Sequence, residues 1–407
     1  MLILIRQELY KLFMRKKTYV VLVGFILLTI LLAFGMKRDA DYMKLYDTKE
    51  YQIENLQNNL DWLEVEKNHI PDDMKNNEAE ITKYQEDMDY QINELKEQIK
   101  NLESTLGKDI PWQDKLQRDI ANQEKIIQEN KSTASSGDMA NWNMELDQLQ
   151  YLQNHNIKPQ ADYEFNAFNF MDNLVGQLGQ VFLVIGIAVF AADMISGEWT
   201  PPTLKLLLTQ PVSRGKVILS KFITTLLSSV GLILVVEIAS FFIVGLFFGF
   251  GNSQYPSFVG LRYQFDTSVF LDNGSHPFVL INESAQIIPV VQYTLKLLLT
   301  QSVFIVAVTS FVFMISSLVK SSMVSMAISV VSLVSGMIIF QIPGIRSIAR
   351  FVFINYFAIG EVVTGRIASF FNHPGMTEIS SIITLLIWTA ICYLVAHFTF
   401  TKRDLLI

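Results

Sequence analysis

The sequence predicts an all-α polytopic membrane protein: six transmembrane helices with a large extracytoplasmic helical, coiled-coil domain between spans 1 and 2. Three observations predict it. Half of the 407 residues are apolar, yet 17% are charged. The two are segregated: residues 37–173 hold 44 of the 71 charged groups. Elsewhere the chain is a series of apolar runs close to the roughly 20 residues that cross a bilayer. The formal net charge of −7 divides into −14 for residues 37–173 and +7 for the rest. A basic remainder made of membrane spans points to cytoplasmic loops among lipids, and away from nucleic acid.

Residues 1–17 come first. Leu2, Ile5, Leu9 and Leu12 recur at helical spacing, with Lys11, Arg15 and Lys16 off that face. The pattern predicts an amphipathic helix in the cytoplasmic interface. Ala33-Phe34-Gly35 loosely resembles a signal-peptide cleavage site, but 17 patterned residues ahead of the apolar run favour a retained anchor. The spans are expected at 18–36, 174–193, 220–249, 295–319, 323–342 and 379–400. The third exceeds what a crossing needs, so it is tilted or begins in the interface.

Orientation follows from lysine and arginine bias in the short segments. With the N-terminus inside, the inner pieces 1–17, 194–219, 320–322 and 401–407 hold 11 basic residues in 53 positions. The outer pieces 250–294 and 343–378 hold 4 in 81. Both termini are therefore expected in the cytoplasm of a multi-pass cell-membrane protein, with 37–173 outside.

Within 37–173, Met88, Ile92, Leu95, Ile99, Leu102 and Leu106 alternate steps of four and three, a heptad seam ended by Gly107 and Pro111. Ile53, Leu56, Leu60 and Leu63 keep the same spacing, and Pro71-Asp72-Asp73 separates the two stretches. Trp112–Asn130 and 141–154 are further short helices, joined through the flexible 132–137 link. Such stripes must be buried together, which predicts an antiparallel hairpin or small bundle, either a spacer or a surface that recognises a ligand or partner. Residues 251–294 are marked by turns and predict a small irregular cap. In 343–378, Ile345, Ile348, Phe351 and Val352 lie opposite Arg346 and Arg350, which predicts an external amphipathic helix, followed by a second at 358–371.

The loop at 194–219 carries the functional argument. Asp193 ends span 2 and Glu198 follows. Thr200 is placed to cap a helix whose first position is Pro201, where a missing N–H costs nothing. Residues 202–209 make about two turns with Leu204, Leu207 and Leu208 on one face and Lys205 turned away; Pro211 ends them. Arg214 and Lys216 start the next helix, which enters the membrane through Lys221. A stiff, transverse amphipathic helix presents an apolar knob to a soluble partner and transmits a push directly into spans 2 and 3.

This stretch resembles the permease subunits of type-2 ATP-binding-cassette exporters. The resemblance rests on Glu198, Thr203-Leu204, Leu206-Leu207-Leu208, the Pro211-Val212-Ser213-Arg214 step and Lys221 at the foot of span 3. The amphipathic start, the six spans, the external domain after span 1 and the basic C-terminus fit the same pattern. One departure is Pro201-Pro202, where that family usually has a glycine. The resemblance implies a pairing with a second copy or a related permease, and two cytoplasmic ATPase subunits, with Glu198, Thr203, Leu204, Lys205, Leu207, Leu208, Pro211, Arg214 and Lys221 as the residues that couple to them. The chain itself has no G-x-x-x-x-G-K-[ST] phosphate loop and no G-x-G-x-x-G, so it is not expected to be an enzyme.

Glu237 sits within span 3, where a carboxylate is expensive and a functional site by default. It lines a substrate path, or it is a protonated or hydrogen-bonded group that joins helices near Ser228, Ser229 and Ser240. The serines of spans 4 and 5, among them Ser316 and Ser325, favour helix packing or a dimer seam over catalysis. Five scattered histidines and the single Cys392 give no metal-ligand spacing and no intrachain disulfide; no cofactor is expected. The sequence thus predicts an ATP-driven exporter permease for amphipathic cargo, a peptide antibiotic or lipid-like compound, in efflux or resistance. The alternatives are a sodium-exporting permease and a non-transporting scaffold or sensor. The latter is disfavoured by inner loops too short for a signalling domain. An ion-coupled secondary transporter should show repeated halves, and no repeat is found.

Overall fold

The structure, a computed structural model, describes residues 1–69, 78–107, 110–199, 212–271 and 274–402. Among the described residues, six helices are long and apolar enough to cross a membrane: Lys16–Tyr46, Phe182–Trp199, Arg214–Phe248, Val290–Leu318, Ser322–Ile339 and Glu378–Lys402. We number them spans 1 to 6. The protein is an all-α polytopic membrane protein, and the helices divide by contact into two compact units.

The larger unit comprises Met1–Ala33, Leu116–Pro159 and Asn166–Ile407. Helix α1 (Leu2–Phe13) precedes span 1, which is the single helix α2 (Lys16–Tyr46). Spans 2 and 4 form the interior, each about three-fifths buried over its apolar window, whereas spans 1, 3, 5 and 6 leave most of theirs uncovered. The uncovered faces carry Leu227, Val235, Phe242 and Leu246 on span 3, side chains that lipid accepts at no cost. Small residues let the rods approach. A Cβ on Gly186 of span 2 would lie 2.4 Å from Cζ of Phe25 in span 1, so only glycine admits that ring.

Span 2 starts later than the apolar run suggests. Residues 174–180 belong to a preceding helix, α7 (Ala167–Gln180), and α8 (Phe182–Ala191) starts after a break at Val181. Beyond α8 the chain tightens into a 3-10 turn at Ser196–Trp199. Span 3 is one continuous helix, α9 (Arg214–Phe248), about 50 Å long at 1.5 Å per residue. Its first residues lie beside the last turn of span 6: a Cβ on Gly215 would meet His397 Cε1 at 3.2 Å.

Residues 256–289, expected to be irregular, form two antiparallel ladders. Strand β1 (Pro256–Val259) pairs with β4 (Gln286–Pro289), and β2 (Tyr263–Phe265) with β3 (Phe278–Leu280). Three- and four-residue strands are too short for alternation to register in sequence. Helix α6 (Ser136–Asn154), which follows α5 (Trp112–Asn130), packs on them: Ala140, Leu261 and Leu280 form a small core, while Ser136 Oγ donates to Asp266 and Asn143 to Asn282. Helix α6, the last helix expected in the 37–173 segment, thus finds apolar partners in the cap between spans 3 and 4.

Before span 6, the expected helix at 343–351 is a 3-10 helix (Pro343–Phe351). Three residues per turn place Ile345, Ile348 and Phe351 on one edge. Ile348 and Phe351 there are exposed, and Ala349 is the buried position. The single helix expected over 358–371 is split into Ile359–Thr364 and Ile367–Phe371 by Gly365 at φ +95°. That glycine seats against the Leu261 carbonyl, where a Cβ would approach to 2.3 Å.

The smaller unit comprises Phe34–Lys115 and Gln160–Phe165. Helices α3 (Lys49–Glu66) and α4 (Glu78–Thr105) pack as an antiparallel pair that buries Ile53, Leu63, Ile92 and Ile99, as the heptad spacing predicts. Lys67 to Asp89 (2.5 Å) and Lys96 to Glu64 (2.8 Å) flank the seam. The Pro71-Asp72-Asp73 break lies outside the described residues.

Candidate functional site

The end of span 2 is tied to several other elements of the larger unit. Its α-helix stops at Ala191, so the following carbonyls and N–H groups need other partners. Ser316 Oγ of span 4 accepts from the backbone N–H of both Ile195 and Ser196, each at 3.0 Å. Ser325 Oγ of span 5 donates to Ala192 O at 2.7 Å. Asp193 meets Lys17 at 3.0 Å and Arg15 at 3.5 Å, which ties the turn to the start of span 1. Lys320, in the link between spans 4 and 5, lies 5.3 Å from the Trp199 ring centroid.

At the centre is a buried ionic chain. Lys221 Nζ lies 2.5 Å from Glu198 Oε1 and 2.8 Å from Glu8 Oε2. The lysine side chain is 1% exposed, Glu198 6% and Glu8 8%. Lys11, half-exposed, reaches the other oxygen of Glu8 at 3.4 Å, so two cations alternate with two carboxylates. Burial pushes the Glu8 carboxyl up, but the Lys221 ammonium, then Lys11, outweigh it and hold the group below its ordinary range. Thr224 Oγ1 adds a 3.4 Å contact to Ile5 O. Three elements meet in one cluster: the leading helix, the last turn of span 2 and the foot of span 3.

Such a cluster stiffens rather than catalyses. A buried ion pair adds little net stability, but removing one partner strands the others. The three elements are therefore joined at one point.

Of the residues singled out in the sequence, Glu198 and Lys221 are brought into contact. Arg214 is exposed at the first position of the span-3 helix. Thr203, Leu204, Lys205, Leu207, Leu208 and Pro211, with the expected helix 202–209 and its cap Thr200, lie outside the described residues, as does Arg403. Glu8 was missed by sequence reasoning. Its signal was available: it is the only acidic residue among the first 17, in an otherwise basic helix.

Glu237 is a second buried charge position, 1% exposed, on the face of span 3 that meets span 4. Gln301 Nε2, fully buried, donates to Glu237 Oε1 at 2.7 Å. Ser240 donates to the Glu237 backbone carbonyl and Ser229 to that of Thr225, so neither hydroxyl serves the carboxylate. Among the described residues no group of three or more His, Cys, Asp or Glu is placed to hold a metal ion.

Six helices long and apolar enough to cross a bilayer among the described residues, joined by a buried ionic junction, define a multi-pass membrane protein. The chain belongs to the ABC-2 family of transporter proteins: the family model, described as ABC-2 family transporter protein, matches residues 2–405. It is similar to the protein YhcI of Bacillus subtilis (strain 168), with 25% identity over 295 residues, 72% of this chain and 84% of the relative.

Proposed function

We propose that this permease exports an amphipathic compound, a peptide antibiotic or a lipid-like molecule, in efflux or resistance, powered by separate cytoplasmic ATPase subunits. In this reading both termini and the 194–219 loop face the cytoplasm, where the basic residues concentrate. Two ATPases dock on the 202–209 segment, and two permeases, identical or related, enclose the path. No phosphate loop occurs in the chain, so ATP is bound and hydrolysed elsewhere.

The observation that carries the reading is the Glu8–Lys221–Glu198 cluster. The 200–211 segment connects Trp199 to the foot of span 3, and the cluster clamps these two ends to each other and to α1. A displacement imposed on the loop reaches spans 2 and 3 with little slack, because separating the elements would expose three buried charges to one another's absence. The test is purification of the tagged full-length chain from its own membranes, with the co-purifying proteins identified. An ATP-binding-cassette ATPase should accompany the wild type. The pair Leu207→Asp and Leu208→Asp should lose it while the permease stays in the membrane. Undiminished ATPase recovery with that variant counts against docking at this loop.

A further inference from the structure

The Glu237–Gln301 pair is unsatisfied in a specific way. Gln301 Nε2 serves Glu237 Oε1, yet Glu237 Oε2 and Gln301 Oε1 are both buried and both lack a hydrogen-bond partner among the described residues. Two orphan acceptors on two side chains already in contact cannot satisfy each other. A donor is missing. Turning the amide over does not supply one, since oxygen would then face oxygen at the 2.7 Å contact.

Among the described residues the neighbourhood provides no cation. Span 3 packs against α1, α7, α8, span 4 and span 6. On α1, Glu8 is engaged with Lys221 and Lys11, and Arg6 and Tyr10 share that foot-end helix. On α7, Asp172 accepts from Tyr293 of span 4. Helix α8 has no titratable side chain. Lys296 of span 4 pairs with Glu378 of span 6, and Tyr393 meets His397. Cys392 is buried in span 6 and Lys402 lies over Phe398 at its end. None of these groups hydrogen-bonds or ion-pairs with Glu237. Along the helix, Glu237 is about 24 Å from Lys221 at 1.5 Å per residue, too far for the ionic cluster to neutralise it.

We propose that Glu237 and Gln301 form a proton-binding site in which a proton on Glu237 Oε2 is donated to Gln301 Oε1. The acid and the amide then exchange two parallel hydrogen bonds in a closed ring. One proton satisfies both orphan oxygens and removes the uncompensated charge. A metal cation fits less well: hard cations such as calcium take six or more oxygens, and this pair offers two unpartnered ones. Occupied, the ring ties span 3 to span 4. Emptied, the carboxylate needs water or a counter-ion, which the closed interface does not admit. The site therefore couples proton occupancy to separation of these two spans. It rests on the span 3–span 4 contact alone, so its failure leaves ATPase docking untouched, and the reverse holds too.

The test is infrared spectroscopy of the full-length chain in lipid nanodiscs. The wild type minus Glu237→Gln difference spectrum should show a hydrogen-bonded carboxylic-acid carbonyl band at neutral pH that shifts in D2O. The same band should move to the frequency of a non-bonded acid in Gln301→Leu, a variant that leaves Glu237 in place should Glu237→Gln fold poorly. Raising the pH should convert the band reversibly into carboxylate absorption. A carboxylate band at neutral pH overturns the proposal, as does an acid band unmoved by Gln301→Leu or by alkali. A carboxylate band that responds to sodium at constant ionic strength replaces the proton with a cation.

Discussion

Lys221 and Glu8, 213 residues apart in the chain, form a 2.8 Å ion pair from which solvent is almost excluded. The contact ties the leading helix to the foot of span 3. Glu198, on the same ammonium, brings in the last turn of span 2. Charges this deep add little net stability by themselves, since apolar residues of similar volume commonly hold a fold as well.

Lys221→Met should therefore destabilise the protein by about 3–5 kcal/mol, because two carboxylates are left without their shared cation. The triple variant Glu8→Gln, Glu198→Gln, Lys221→Met should recover most of that loss. Thermal unfolding in detergent measures both. If the triple variant still inserts but no longer couples ATP hydrolysis to export, the cluster positions the spans; full coupling in it would remove that role.

Glu8 should give acid sensitivity of a definite sign. Its folded-state value lies below the ordinary 4.5, where Lys221 and Lys11 overcome the opposing effect of burial. A depressed carboxylate contributes stability that is complete above its unfolded value and vanishes as the pH falls through the folded one. The gap in Tm between wild type and Glu8→Gln should be constant at neutral pH and should close below about pH 4.5. A gap that widens on acidification reverses the assignment.

Ser316→Ala should cost about 1–3 kcal/mol, since the Ile195 and Ser196 N–H groups lose their common acceptor inside the bundle. Ser316→Thr, which keeps the oxygen, should recover part of it. Hydrogen exchange at residues 195–196 reports the effect directly: protection should drop in the alanine variant.

Gly365→Ala should disrupt the cap before span 6. Its left-handed φ alone is worth about 1–3 kcal/mol of strain, and the 2.3 Å approach to the Leu261 carbonyl forces β2 and its neighbours to shift. Lower Tm with unchanged membrane insertion is the expected result. A neutral substitution would show that this contact is not maintained in the membrane.

The spans were legible because a bilayer imposes a one-dimensional rule: a run of about 20 apolar residues registers in sequence whatever its neighbours do. The α3–α4 pair was legible for a similar reason, as the four-and-three spacing of Ile92 and Ile99 is local. Glu198 and Lys221 were given a role through a family resemblance, and Glu8 did not stand out despite being the lone acid in a basic helix. Gln301 carried no signal at all, since one glutamine among apolar residues looks like any tolerated polar position.

By itself, then, the sequence determined that six runs are apolar enough to cross a membrane, where charge is excluded and that no phosphate loop is present. Tertiary structure alone decided that Glu8, Glu198 and Lys221 share one buried site, that Gln301 faces Glu237, and that α6 closes on the cap between spans 3 and 4. The reason is physical. Hydropathy and helical period are properties of neighbouring residues, whereas the partner of a buried charge is chosen by packing between elements far apart in the chain.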